Sequence, residues 1–147
     1  MEELEPVFSP LASPRFALGL ETIYEGYLVH YGRPRLHEPQ DGNAALVLGD
    51  YFYAQGLARI ASLGDVEAVA DLAELISLCA QGRADGRPGD GEAWAATAAL
   101  LGEGRLHDAR SLLGRRRDPG LLDRLARETA GDAAVERALT AHARLLG

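Results

Sequence analysis

Gly42-Asn43-Ala44-Ala45-Leu46-Val47-Leu48-Gly49-Asp50-Tyr51 opens a stretch, 43 to 62, in which Leu46, Val47, Tyr53, Leu57 and Ile60 fall on several faces of a helix. Only Asp50 and Arg59 carry charge there. A helix that is apolar almost all round belongs where other elements surround it, so this one is expected in the middle of a bundle. Gly64-Asp65 then supplies a break and an N-cap. Beyond it Val66, Val69, Ala73, Ile76 and Ala80 form one stripe, with Glu67, Asp71 and Glu74 opposite. The two segments read as an antiparallel helical hairpin with a short turn.

Working outward, Phe16, Leu20, Ile23, Tyr24, Tyr27, Leu28 and Tyr31 recur at three- and four-residue steps, an amphipathic helix whose other face carries Glu21 and Glu25. Gly32 and Pro34 end it. Residues 1–14 hold Pro6, Pro10 and Pro14 among acidic and small residues and read as an extended leader, with order beginning near Pro14. Gly82 to Gly91 stacks Gly, Pro and Asp and reads as a mobile loop. Shorter helical pieces follow at about 92–102, 105–114, 118–129 and 132–146, the last two begun by Asp118-Pro119 and Asp132. No segment alternates with the period of a strand, so the expected fold is all-α, a single-domain helical bundle over 15–147.

Composition narrows the chemistry. The chain has 147 residues, 47% of them apolar, enough for one buried core. All 15 basic residues are arginine, which removes any Schiff-base or phosphate-loop lysine. A net charge of −7 disfavours a phosphate backbone as partner, so no nucleic acid is expected. Cys79, alone in an apolar helical run, reads as a small buried hydrophobe in a reducing compartment. The acidic start lacks the basic and apolar regions of a secretion signal, and no window approaches the ~20 apolar residues of a membrane span. A cytoplasmic protein is expected.

Gly32-Arg33-Pro34-Arg35-Leu36-His37, followed by the apolar helix with Gly49-Asp50-Tyr51, resembles the segment after the first aspartate-rich motif of trans-isoprenyl diphosphate synthases. That family has Arg-Arg-Gly-x-Pro-x-x-His, a short loop, and a helix containing Gly-Asp-Tyr. The resemblance spans residues 17–82. A weaker echo lies at 92–101, where Trp94-Ala95-Ala96-Thr97-Ala98-Ala99-Leu100 looks like the family's Lys-Thr-Ala-x-Leu, with Ala96 in place of the lysine. The resemblance implies part of the isoprenoid synthase fold. It also places Glu21-Thr22-Ile23-Tyr24-Glu25 where the family has Asp-Asp-x-x-Asp, making Glu21 and Glu25 the candidate Mg²⁺ ligands.

Carboxylates at i and i+4 share a helix face and offer the hard oxygens that Mg²⁺ prefers; read without the resemblance, the same pair is the solvated face of an amphipathic helix. The family's paired arginines, which contact diphosphate, are replaced by His30-Tyr31. Arg33, Arg35 and His37 are then the candidate substrate-binding residues, with His37 expected to make a loop or cap hydrogen bond rather than to bind metal. Asp50 on so apolar a helix calls for a structural partner, Arg33 or Arg35. The second aspartate-rich motif is absent, and no catalytic residue is assigned.

The resemblance implies a non-catalytic or accessory member of isoprenoid biosynthesis, associating with itself or with a complete synthase. The alternative is a degenerate, Mg²⁺-dependent prenyltransferase acting as half of a heterodimer. A third reading, a helical scaffold module, rests on residues 98–110, which have the flavour of one tetratricopeptide hairpin without the repetition such arrays need. Arg115-Arg116-Arg117, the one basic run, reads as a solvated inter-helix turn.

Overall fold

Trp94 sits at the centre of a ring cluster: Phe8 stacks on it at 5.7 Å, and Tyr24 and Tyr27 meet it edge-on at 5.1 and 5.7 Å. Aromatic pairs in these geometries add to the burial of large apolar area. The computed structural model describes residues 5–36 and 38–146. Among them are seven α-helices and no strand: α1 Ala17–Tyr31, α2 Gly42–Ala61, α3 Val66–Asp85, α4 Asp90–Ala99, α5 His107–Arg116, α6 Gly120–Ala130 and α7 Asp132–Leu146. The fold is all-α. No helix among the described residues is long and apolar enough to cross a membrane.

The central helices are α1 and α4. Every residue of α1 from Gly19 to Val29 except Thr22 is buried, and α4 buries Ala93 to Ala98 without interruption. This corrects the expected order of layers. The helix with the all-round apolar sequence, α2, lies on the outside, with Leu46 59%, Val47 69% and Tyr51 56% exposed.

Four glycines weld α2 to α1. Gly19 faces Gly56 and Gly26 faces Gly49, seven residues apart on each helix and running in opposite directions. A Cβ at Gly56 would lie 2.3 Å from Ile23 Cγ1 and 2.9 Å from the Gly19 carbonyl oxygen; one at Gly26 would lie 2.8 Å from the Gly49 oxygen. The backbones therefore touch, which is why α2 needs only one side to hold it in place.

Two other segments differ from their sequence reading. Residues 1–4 of the expected leader lie outside the described residues; from residue 5 onward it is not free, since Val7, Phe8 and Leu11 belong to the core and single 3-10 turns form at Ser9–Leu11 and Pro14–Phe16. Proline fits the first turn of each, so these prolines start turns instead of extending the chain. The Gly82–Gly91 loop shrinks to residues 86–89, because α3 runs on to Asp85, Gly86 closes it at φ +67°, and Arg87 donates to the Leu78 carbonyl. Asp65 caps α3 as expected, accepting from the Ala68 amide at 2.9 Å. Asp118 accepts from the Gly120 amide at 2.8 Å just before α6.

Gly56→Ala sets a helix-propensity gain of ~1 kcal/mol against overpacking on backbone that cannot yield, ~1–3 kcal/mol. A net loss of stability is expected in urea unfolding. Gly42→Ala, where an added Cβ meets nothing within 4 Å, serves as the control and is expected to leave the midpoint unchanged or slightly raised.

Candidate functional site

Glu21 and Glu25 project from one face of α1, as their spacing requires, but that face points inward. The turn after Gly32 carries Arg35 back across α1, where its guanidinium lies between the two carboxylates. Nη1 is 2.7 Å from Glu21 Oε1, and Nε is 2.9 Å from Glu25 Oε1. The three side chains are nearly sealed, 8% exposed for Arg35, 8% for Glu21 and 1% for Glu25.

Backbone donors fill the remaining oxygen positions. Glu25 Oε2 accepts from the amides of Arg35 at 2.8 Å and Leu36 at 3.1 Å. Glu21 Oε2 accepts from Ser9 at 2.8 Å and Val7 at 3.2 Å. Arg35 also donates to the carbonyls of Glu5 at 2.7 Å and Glu21 at 3.3 Å, so four of its five N–H groups are used. Its cationic carbon lies 5.0 Å from the centre of the Tyr24 ring.

This donor set does not fit a magnesium ion. Mg²⁺ requires near-octahedral oxygens at ~2.0–2.1 Å, most of them water or phosphate. Here the carboxylate oxygens are engaged and a fixed positive charge occupies the space between them. Among the described residues, no three His, Cys, Asp or Glu side chains come together to hold a metal ion. The pair is thus neither the solvated face nor an open ion site.

The other candidates are dispersed. Arg33 ties the same turn to the end of α7, its amide donating to the Leu145 carbonyl at 2.8 Å and its guanidinium to the Arg144 carbonyl. A cation there also faces the negative end of the helix dipole. Both arginines expected at a diphosphate therefore serve as braces. His37 lies outside the described residues. Asp50 pairs with neither Arg33 nor Arg35; its side chain is mostly exposed, 3.5 Å from His30 Nε2, so water removes the need for a buried partner. His30 packs edge-on against Tyr53 at 5.1 Å and bridges α1 to α2.

A second, partly buried polar cluster carries little local sequence signal, because its contacts through His142 join residues 52 and 118 apart. Asp90, the first residue of α4, accepts on Oδ2 from the Tyr27 hydroxyl at 2.7 Å and from Arg83 Nη2 at 2.8 Å. His142 Nε2 is 3.1 Å from the same oxygen, and its Nδ1 is 2.6 Å from the Tyr24 hydroxyl. With Nε2–H donating to Asp90, Nδ1 accepts from Tyr24. Burial opposes charge on Asp90, but the hydrogen bonds from His142 and Tyr27 outweigh it and hold the carboxyl well below the usual carboxylate range. Burial pushes the Tyr24 and Tyr27 hydroxyls well above the usual phenol range, and the Cys79 thiol up to about 12.

An open groove of about 460 Å³ runs between residues 5–10 and α7, bordered by Val7, Pro10, Ala138 and Arg144, and none of Glu21, Glu25, Arg33 or Arg35 lines it. Comparison with family models finds no match to the chain, and neither curated proteins nor solved structures yield one.

Arg35→Met would strand two carboxylates without their cation, and breaking a buried ion cluster from one side costs about 3–5 kcal/mol. Urea midpoints are expected to fall accordingly and to recover in part when Glu21→Gln and Glu25→Gln are added; a loss below ~1 kcal/mol would show the clamp to be dispensable. Because the carboxyl of Asp90 is depressed, it stabilises the fold above its unfolded value of about 4, and that contribution drains away as pH falls below it. Asp90→Asn should therefore flatten the acid limb of a stability–pH curve and lower the plateau near neutrality.

Proposed function

We propose that this chain is a non-catalytic relative of the trans-isoprenyl diphosphate synthases that acts by association, with itself or with a complete synthase. The single observation that carries this reading is Arg35 lodged between Glu21 and Glu25. Ionising a prenyl diphosphate needs several preorganised positive charges on the leaving group, usually metal ions held by open carboxylates. Here the two carboxylates at the corresponding spacing are consumed within the core, and Arg33 and Arg35 are spent on carbonyls and carboxylates. The family assignment itself rests on the Gly32–His37 and Gly49–Tyr51 residues.

The second reading is an Mg²⁺-dependent prenyltransferase completed by a partner chain in a heterodimer, with the partner supplying the open metal ligands that the filled Glu21 and Glu25 do not. The cytoplasm is the proposed place of work for either.

Purified protein incubated with Mg²⁺, an allylic diphosphate and isopentenyl diphosphate is expected to give no elongated product. Added to a complete synthase, it is expected to change that enzyme's rate or product length. Product formed by the pure chain alone would overturn the non-catalytic reading.

A further inference from the structure

Two arginines of α7 have no partner inside the fold. Both acids of that helix, Asp132 and Glu136, pair with Arg127 of α6, at 3.5 and 2.7 Å. Arg137 and Arg144 are exposed and, among the described residues, meet no carboxylate within 4.0 Å. Both lie instead along the groove of about 460 Å³ between α7 and residues 5–10. Their seven-residue spacing puts them on one side of the helix, ~10 Å apart at ~1.5 Å per residue. Beside them the groove is mainly apolar, with Val7, Pro10, Ala134, Ala138 and Ala141 in its lining.

We propose that this groove receives an amphipathic helix of a partner protein. The apolar stripe of that helix lies over Val7 and Ala138, and two carboxylates on its flank, seven residues apart, meet Arg137 and Arg144. The inference does not draw on the isoprenoid reading.

The main chain of the groove's far wall selects a helix over an extended peptide. Adding a strand requires a row of free backbone donors and acceptors. Here the Val7 and Ser9 amides donate to Glu21, the Phe8 and Ser9 carbonyls accept from Leu11 and Ala12, and the Glu5 carbonyl accepts from Arg35. Pro6 and Pro10 have no N–H to give. A helix arrives with its own backbone bonds made and needs only side-chain contact. The ~15 Å from Ala134 to Arg144 matches about three helical turns. Because the groove is open along that length, a small molecule would stay largely in water, whereas small-molecule sites enclose most of their ligand.

Charge sets the pattern the partner must carry. Arg137 and Arg144, with Arg33 at the end of α7, make this edge positive in a chain of net charge −7. Glu136, also at the groove, is already held by Arg127, and Glu5 on the far wall suits a cation on the helix's other flank. Exposed charges of this kind set register and encounter rate more than affinity. The contact is at the small end of specific interfaces, so dissociation in the micromolar range is expected.

The probe is a dye-labelled helical peptide of about 18 residues, with leucine at steps of three and four and two glutamates seven apart beside that stripe. Its anisotropy, titrated with the full chain, is expected to rise saturably, and less so as salt is raised. Arg137→Glu with Arg144→Glu should weaken binding about tenfold or more, leave the circular dichroism spectrum unchanged, and transfer preference to a peptide with lysines in place of the glutamates. Arg59→Glu with Arg124→Glu, an equal charge change at exposed positions outside the groove, should leave the original preference intact. No saturable binding, equal binding of a scrambled peptide, or equal weakening by the control pair would overturn the proposal. Binding of octanoate but not of the peptide would overturn it too, giving the groove to a small apolar anion. None of these results touches the turnover assay, so failure of the groove and failure of the non-catalytic reading remain separable.

Discussion

Everything else in this bundle depends on Arg35 reaching both Glu21 and Glu25. A helix cannot run through the centre of a small domain with two unneutralised carboxylates on it, since each buried ion costs several kcal/mol after relaxation. The guanidinium satisfies both with charge-assisted bonds, and its planar fork suits a bridge between two acceptors one helical turn apart. Gly32 and Pro34 make the reversal that brings Arg35 back, and Arg33 anchors that reversal to the end of α7. Backbone amides from Val7 and Ser9 complete Glu21, so the chain before α1 is fastened by the same charges. Loss of the cation would therefore loosen three segments at once.

The clamp also explains how much of the fold was legible in the sequence. Helix existence, the all-α class and the Asp65 cap could be read because they depend on local periodicity and on capping residues. The layer order could not. An apolar face says that a helix wants cover without saying from what, and charged residues on α1 argued for an outside position until their partner was located ten and fourteen residues downstream. In α2 the informative residues were Gly49 and Gly56: their seven-residue spacing, matched by Gly19 and Gly26, encodes close backbone contact on one side and leaves the other side uncovered.

Of the candidate site, the spacing of Glu21 and Glu25 and the nearness of Arg35 were visible, but the direction in which they point was not. The Asp90–His142–Tyr24 cluster was invisible for a different reason. Asp90 stood in a Gly- and Pro-rich stretch that read as loop, and His142 was a lone histidine near the end of an amphipathic helix. Only tertiary packing joins them, drawing α7 onto α1 and α4 beneath Phe8 and Trp94.

A carboxylate pair serves either a core or a cation, because the two uses place opposite demands on the same lone pairs. Binding Mg²⁺ requires oxygens left open to solvent and phosphate, which keeps uncompensated negative charge in the folded protein and is destabilising until the ion arrives. A core requires those oxygens filled, and an arginine fills them permanently. Filled oxygens hold α1 firmly in the middle, and with α1 central the glycine contact carries α2 to the periphery with its alanine and aromatic seam outward. The exposure of α2 thus follows from the filled clamp: the charges of α1 are spent organising the interior, and the face of α2 turned outward is largely apolar.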